Sequence, residues 1–142
     1  MFKTIVVAVD GSPSSDRALE YATQLAKEQS SRIVLAHVTE LIAGRAAGTV
    51  DLGDDELVEK IRDRAAQLGK DGVNAEVRVT RSMSGGPAHA IAEIAKDSKA
   101  DLIVTGTRGH TVLTGMVIGS VAQRMLHVAP CPVLVVPEQH GN

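Results

Sequence analysis

The chain has 142 residues, 44% of them hydrophobic and 23% charged, which are the proportions of a folded domain rather than a disordered chain. Its net charge is -2, without the excess of basic residues that nucleic-acid-binding proteins carry, so a nucleic-acid partner is not expected. Cys131 is the single cysteine, which excludes an internal disulfide and fits a reducing compartment. The apolar run near the N-terminus is too short for a signal peptide, and no run approaches the roughly 20 residues that span a bilayer. We therefore expect a cytoplasmic protein without a membrane partner.

The first part of the chain predicts a strand, a helix and a second strand. Thr4–Val9 is a continuous run of apolar and β-branched residues, which is typical of a strand buried on both faces. Ser12 followed by Pro13 marks a helix start, with serine as the N-cap and proline at the first helical position. Ile33–Val38 is a second buried strand. The apolar stripe of the helix consists of Ala18, Ala22, Leu25 and Ala26.

The middle of the chain predicts a loop, a helix and a strand. Ala43–Gly53 is rich in glycine and is interpreted as a mobile loop, although its residues give no support to a role as a lid. Asp54–Leu68 has apolar residues at helical spacing, and its acidic first turn suits the positive end of the helix dipole. Val73–Val79 alternates apolar and polar residues, so we expect it nearer to a sheet edge.

The last part of the chain predicts two more helix–strand pairs. One helix begins at Pro87 and is followed by the strand Leu102–Val104. The next helix covers Ser120 to about Val128 and precedes the final strand, Val133–Val136. Strands and helices thus alternate throughout residues 1–142, which predicts parallel βαβ units in a single domain. The expected fold is α/β and Rossmann-like, an open parallel five-stranded sheet with helices on both faces.

In such a sheet, ligands lie beyond the carboxyl ends of the strands, where the strand order reverses. Asp10, Gly11 and Ser12 follow the first strand directly. The Asp10 carboxylate can accept hydrogen bonds from a ribose or an adenine, or hold a metal through water. Equally, it can bond to local amides in a turn that leads into the helix. The residues alone leave these two interpretations even.

The end of the second strand offers a backbone edge and a histidine. The amide and carbonyl of Val38 are placed to contact the edge of a base. His37 invites a catalytic interpretation, but a single histidine near a strand end is more often packed and neutral. We therefore favour a packed, neutral His37.

The longest candidate segment lies between the fourth strand and the last helix. Gly106, Gly109, Gly119 and Ser120 form the pattern G-x2-G-x9-G-[ST], which arises by chance in roughly 1 in 100 such chains. Glycine permits close backbone approach, and amides at a helix N-terminus bind phosphate. The alternative is a long loop that merely contains glycines, but such loops are uncommon in compact domains. Two basic residues are candidates for further phosphate contacts, the always-charged Arg108 and His110.

Two common nucleotide signatures are absent, since no G-x-x-x-x-G-K-[ST] occurs and no G-x-G-x-x-G follows the first strand. The chain instead resembles the universal stress protein family over nearly its whole length. The similarity is carried by IVVAVDGS at Ile5–Ser12, a Gly-x-Pro-Ala turn at Gly85–Ala88, ADLIVTGTRG at Ala100–Gly109 and GSVAQRMLHVAPCPVLVVP at Gly119–Pro137. The last two segments, with the glycine spacing intact, are highly specific.

The resemblance implies a sheet of strand order 3-2-1-4-5 and an adenine nucleotide as ligand. Members with this glycine pattern bind ATP, whereas a second branch lacks the pattern and does not. By matching position, Asp10 would lie at the adenosine end, and Val38 would meet adenine through its backbone. The ribose and phosphates would be surrounded by Gly106, Arg108, Gly109, Gly119, Ser120 and Val121. The other residues expected to line the site are Val9, Ser12, Met83 and Ser84.

One segment departs from the family. Between Gly109 and Gly119 relatives are often basic, whereas this chain has HTVLTGMVI. Fewer basic side chains would weaken the binding of the terminal phosphates. The choice among ATP, ADP, AMP and cyclic AMP as ligand therefore stays open. Mg²⁺ is the metal that ATP would bring.

The last strand predicts assembly. Val133–Val136 is apolar throughout, and an unpaired strand at a sheet edge invites pairing with another chain. The resemblance likewise implies a homodimer joined through the last strands. The alternative is a strand covered by its own helix. Cys131 has no base partner in the sequence, so we expect it to pack rather than react.

Three hypotheses for function remain. The favoured one is a regulatory or stress-response module whose nucleotide state biases a surface seen by an unidentified protein partner. The second is an ATP hydrolase or an adenylyl-transfer enzyme, which needs a positioned base, a metal and charge stabilisation. Because Asp10 is expected at the adenosine end, far from the γ-phosphate, we expect turnover to be slow at most, and we assign no catalytic residue. The third is a nucleotide-free dimeric interaction protein.

Overall fold

The computed structural model describes residues 1–39, 52–82, 85–107 and 118–138. Strands and helices alternate within these ranges, as the sequence predicts. The elements are β1 (Thr4–Ala8), α1 (Pro13–Gln29), β2 (Arg32–Thr39), α2 (Leu52–Lys70), β3 (Ala75–Arg81), α3 (Gly86–Asp97), β4 (Leu102–Gly106), α4 (Ser120–Val128) and β5 (Val133–Val136). None of the helices within the described ranges is long and apolar enough to cross a bilayer.

The five strands form one parallel sheet in the order β3-β2-β1-β4-β5, which confirms the expected topology. Ile5 of β1 lies opposite Ile33 of β2 on one side and Leu102 of β4 on the other. These three side chains are buried, as continuous apolar runs in central strands require. The strand β3 lies at one edge of the sheet, as its alternation of apolar and polar residues predicts, and β5 lies at the other.

Helices cover both faces of the sheet. Ile5 and Val7 face a core cluster built with α1 and α2, whereas Val6 between them faces a cluster built with α3 and α4. Consecutive strand residues point to opposite faces, so the two clusters are separate layers. The helix contributions to the first are Ala18, Leu19, Ala22, Ala26, Ile61 and Leu68, and to the second Ala88, Ile91, Ile94, Ala95 and Met125.

Local signals account for the start and end of α1. The Ser12 hydroxyl accepts a hydrogen bond from the Ser15 amide at 3.2 Å, and Pro13 occupies the first turn. This confirms the predicted N-cap, which satisfies one of the amides that a helix leaves without a partner. Ser30 ends the helix in a left-handed conformation with φ of 56°.

The start of α2 differs from the sequence prediction. The loop predicted at Ala43–Gly53 overlaps the helix, which begins at Leu52 rather than Asp54. The remainder of that loop lies outside the described residues. Asp54 and Asp55 therefore fall within the first turn, where their carboxylates still favour the positive end of the helix dipole.

Gly106 ends β4 where the strand passes very close to α1. A Cβ added to Gly106 would lie 2.8 Å from both the carbonyl carbon and the carbonyl oxygen of Ser14, and would also collide with the Ser14 hydroxyl. Two of these atoms belong to the helix backbone, which cannot rotate away. The close packing of β4 against α1 therefore requires glycine at this position.

We expect Gly106→Ala to lower the free energy of unfolding by about 1–3 kcal/mol, the usual cost of overpacking a core. Gly69→Ala is the matched control, because no atom lies within 4 Å of a Cβ at that position in α2. That substitution should stabilise the protein by up to about 1 kcal/mol through helix propensity. Urea denaturation of the three proteins measures both effects, and equal destabilisation by the two variants would contradict the packing argument.

Candidate functional site

The strand order reverses between β1 and β4. From β1 the chain moves to β2 and β3 on one side, and later crosses to β4 and β5 on the other. Val7 near the end of β1 lies opposite Val104 of β4. The residues just beyond these strands, among them Asp10 and Thr107, therefore meet at the switch point where open α/β sheets bind ligands.

The turn after β1 is organised by the Asp10 carboxylate. Asp10 Oδ1 accepts the amide hydrogen of Ser12 at 2.9 Å, which is the local contact that the alternative interpretation of Asp10 predicted. The Asp10 amide donates to Ser15 Oγ at 3.3 Å. The side chain of Val9 is buried in the core, so Val9 has only its backbone to offer a ligand.

His37 connects three elements near this turn. Its Nδ1 lies 2.8 Å from the Val9 carbonyl oxygen, and its Nε2 lies 2.7 Å from Asp54 Oδ1 of α2. Asp54 Oδ2 also accepts a hydrogen bond from the Thr39 hydroxyl at 2.6 Å. Only 4% of His37 is exposed, so the expectation of a packed histidine is confirmed.

Both ring nitrogens of His37 face oxygen acceptors, a carbonyl and a carboxylate. The ring therefore links the end of β1 to the first turn of α2.

Competing effects act on the pKa of the Asp54 carboxyl. Burial opposes its ionisation, but the hydrogen bonds from Thr39 and His37 and the charge of His37 outweigh burial, so the pKa of Asp54 lies below its ordinary value. A carboxyl whose pKa is lowered on folding stabilises the folded state above its unfolded pKa. That stabilisation is lost as the pH falls through the lower, folded pKa.

We expect the unfolding free energy of Asp54→Asn to fall less steeply with decreasing pH, in the acid range, than that of the parent protein. As the pH falls below about 4, the parent should lose the contribution of the ionised carboxylate, and the difference in unfolding free energy between the two proteins should shrink. Asp55→Asn, at the exposed neighbouring acid, is the control and should keep the parent profile. Urea denaturation at a series of pH values measures this, and a constant difference at all pH values would contradict it.

The start of α4 lies next to the end of β4. The Gly119 amide donates to the Thr107 carbonyl at 2.6 Å, and the Thr107 amide donates to the Val136 carbonyl at 3.2 Å. These bonds hold Thr107 and Gly119 together beside β5. Sequence reasoning overlooked Thr107 because it acts through its backbone, which leaves no signature in residue type.

The first turn of α4 has the geometry of an anion site. Gly119 is the N-cap in an extended conformation, and within the described ranges no side chain caps the helix there. The first intrahelical bond is from the Gln123 amide to the Gly119 carbonyl at 3.0 Å, so the amides of Ser120, Val121 and Ala122 have no partner inside the helix. Amides of this kind, at the positive end of the dipole, bind phosphate.

The backbone of Val38 lies where the ladder between β1 and β2 ends. The last bond of that ladder joins the Val9 amide to the Ala36 carbonyl at 2.9 Å. One further rung would take the Val38 amide to the Val9 carbonyl, but that oxygen faces the His37 ring instead. Among the described backbone hydrogen bonds there is none between Val38 and the residues after β1.

The structure thus brings most of the predicted site residues to one edge of the sheet. Asp10, Val38, Gly106 and the start of α4 all lie at or beyond the carboxyl ends of the strands. Ser12 serves as the N-cap of α1. The predicted contacts that lie outside the described residues are Met83, Ser84, Arg108, Gly109 and His110.

A cavity of about 390 Å³ lies elsewhere, between β3 and α3. The residues around it include Arg78, Thr80, His89, Glu93 and Asp97. None of the predicted nucleotide contacts among the described residues lines this cavity. It is therefore separate from the switch point.

Comparison with known proteins identifies relatives along nearly the whole chain. The sequence profile of the Universal stress protein family matches residues 1–137. A universal stress protein of Methanocaldococcus jannaschii is 36% identical over 140 residues, which cover 96% of this chain and 82% of the relative.

Two solved structures are similar in both sequence and fold. A universal stress protein in complex with cAMP is 28% identical with a TM-score of 0.71, covering 97% of this chain and 98% of the other. The universal stress protein from Archaeoglobus fulgidus in complex with dAMP is 25% identical with a TM-score of 0.71, covering 94% and 97%.

Proposed function

Because the chain belongs to the universal stress protein family, we propose that it binds an adenine nucleotide at the carboxyl edge of β1 and β4. The observation that carries the proposal is the first turn of α4, where three backbone amides without helical partners lie beside the end of β4. The ligands of the two similar structures, cAMP and dAMP, each contain an adenine and a phosphate. Their shared chemistry matches a site with a base-binding end and an anion-binding end.

The two ends of the proposed site have different chemistry. At the adenosine end, Asp10 offers a carboxylate and Val38 offers an amide beside a carbonyl. At the phosphate end, the amides of Ser120 and Val121 and the dipole of α4 favour an anion. The glycine pattern favours ATP, with Mg²⁺ as its metal, while ADP, AMP and cyclic AMP satisfy the same two ends.

The biological role that fits this site is regulatory. We place the protein in the cytoplasm as a single-domain stress-response module, in which the bound nucleotide changes the affinity for a protein partner. A ligand shifts such an equilibrium only as far as it binds the two states differently. The residues assigned to the site bind and orient the nucleotide, and none is assigned a catalytic role.

We expect Gly119→Val to weaken ATP binding by about 10- to 100-fold, as expected for losing one or two hydrogen bonds to a charged group. The physical reason is that a branched side chain at the N-cap blocks the approach of phosphate to the amides behind it. Gln123→Val, on the exposed side of the same helix, is the matched control and should bind as the parent does. Calorimetric titration measures all three, and unchanged affinity in Gly119→Val would argue against the phosphate site.

We also propose that the protein forms a homodimer through β5. This strand lies at the edge of the sheet, and Leu134 on it is 36% exposed. Leu126 of the neighbouring helix α4 is 54% exposed. An apolar edge strand with an unpaired backbone is a template for a second copy of the chain.

We expect Leu134→Glu to shift the protein from dimer to monomer, because it buries an unpaired carboxylate in the paired edge. Val79→Glu is the control, since Val79 is also exposed but lies on the opposite edge strand, β3. That variant should remain dimeric. Sedimentation velocity distinguishes the two species, and a parent protein that is monomeric at all concentrations would overturn the proposed dimer.

A further inference from the structure

The hydrogen-bond arrangement at the end of the β1–β2 ladder is unusual in one respect. The Ile33 amide bonds to the residue just before β3, and the Thr39 carbonyl accepts from the residue just after β3. Alternate residues of β2, among them Ala36 and Val38, direct their backbone groups to the other side, toward β1. Ala36 does so with a bond from Val9, whereas Val38 has no corresponding bond among the described backbone groups.

The His37 ring lies at the acceptor that this missing bond would use. Val9 carries the carbonyl to which the Val38 amide would donate if the ladder continued, and that oxygen lies 2.8 Å from His37 Nδ1. The imidazole is itself held from the other side, because its Nε2 lies 2.7 Å from the Asp54 carboxylate. Thr39 donates to the second oxygen of that carboxylate at 2.6 Å, so the group that holds the ring is itself held.

We propose that His37 is a positioning residue for base recognition: by holding the Val9 carbonyl, it keeps the Val38 amide out of the strand ladder and available to a nucleobase. This inference rests on the proposed nucleotide binding. An amide donor beside a carbonyl acceptor is complementary to a base edge with an acceptor next to a donor. Adenine has that edge, with N1 as the acceptor and the 6-amino group as the donor.

The same peptide unit also orients Asp10. The Val9 carbonyl and the Asp10 amide belong to one planar group, of which His37 holds one side and Ser15 Oγ, at 3.3 Å from the Asp10 nitrogen, holds the other. Asp54 lies in the first turn of α2, and Leu57 of the same helix lies over Gly11. The described hydrogen bonds of His37 are to Val9 and Asp54, which places its action at the adenosine end.

The test uses His37→Phe, which keeps an aromatic side chain in the buried space but donates no hydrogen bond. The Val38 amide should then close the ladder onto the Val9 carbonyl. We expect AMP and ATP to bind about tenfold more weakly, by the same factor for each. Selectivity for AMP over inosine monophosphate, whose base edge has the donor and acceptor reversed, should fall by a similar factor. Asp54→Asn should have the same effects in a weaker form, and His127→Phe, at an exposed position in α4, is the control.

A second measurement does not depend on a nucleotide. Hydrogen exchange followed by NMR should find the Val38 amide unprotected in the ligand-free parent and protected in His37→Phe. A Val38 amide already protected in the parent would overturn the inference even if AMP binds. So would unchanged AMP affinity and selectivity in a folded His37→Phe protein.

The two proposals fail in distinguishable ways. If the parent binds none of AMP, ATP and inosine monophosphate, the proposed function fails and the role in base recognition fails with it. If the parent binds AMP while the exchange and selectivity results contradict the role of His37, only this inference falls. A loss of affinity for ATP that greatly exceeds the loss for AMP would also overturn it, because that pattern would place the effect at the phosphates.

Discussion

The structure at the carboxyl edge of the sheet depends on one constraint: every backbone polar group in a buried sheet needs a hydrogen-bond partner. Inside the sheet the parallel ladder provides these partners. At the carboxyl edge the ladder must end, and the groups beyond it must bond to side chains, to water or to a ligand. At the end of β1 the Val9 carbonyl lies 2.8 Å from the His37 ring, and the proposed role of that ring is to keep the backbone of Val38 outside the ladder.

The phosphate end follows from the same constraint applied to a helix. An α-helix leaves its first amides without internal partners, and in α4 the N-cap is Gly119, which has no side chain to occupy them. Thr107 holds this helix start beside β4 through its carbonyl. Among the described residues, the two ends of the proposed site therefore offer mainly backbone groups as donors, with Asp10 as a charged side chain.

The glycine pattern combines two physical requirements that the sequence does not separate. At Gly106 a Cβ would strike the backbone of Ser14 in α1, so this glycine is explained by packing. At Gly119, the N-cap of α4, no side chain within the described ranges caps the first turn, which suits the proposed anion site. Both glycines belong to the same motif, and only the contacts of the folded chain distinguish the glycine explained by packing from the glycine at the proposed site.

Much of the fold could be predicted because short-range rules govern it. Continuous apolar runs predicted the buried strands, alternation predicted an edge position for β3, and Ser12 with Pro13 predicted the N-cap of α1. Element boundaries were less accurate: α2 begins at Leu52 rather than Asp54, because local residue types define a helix end only to within a residue or two. The partners of His37, the Val9 carbonyl and the Asp54 carboxylate, could not be predicted because they come from other parts of the chain.

The sequence by itself determined the order of strands and helices along the chain and the family, since each depends on residue types at neighbouring positions. The tertiary structure alone decided that Asp54 of α2 reaches His37, that Gly106 packs against Ser14, and that the Val38 amide lies beyond the end of a ladder. These are contacts between residues distant in the chain, and the physical reason is that sheet register and helix packing set them. No local pattern encodes a hydrogen bond whose two partners meet only when separate elements pack together.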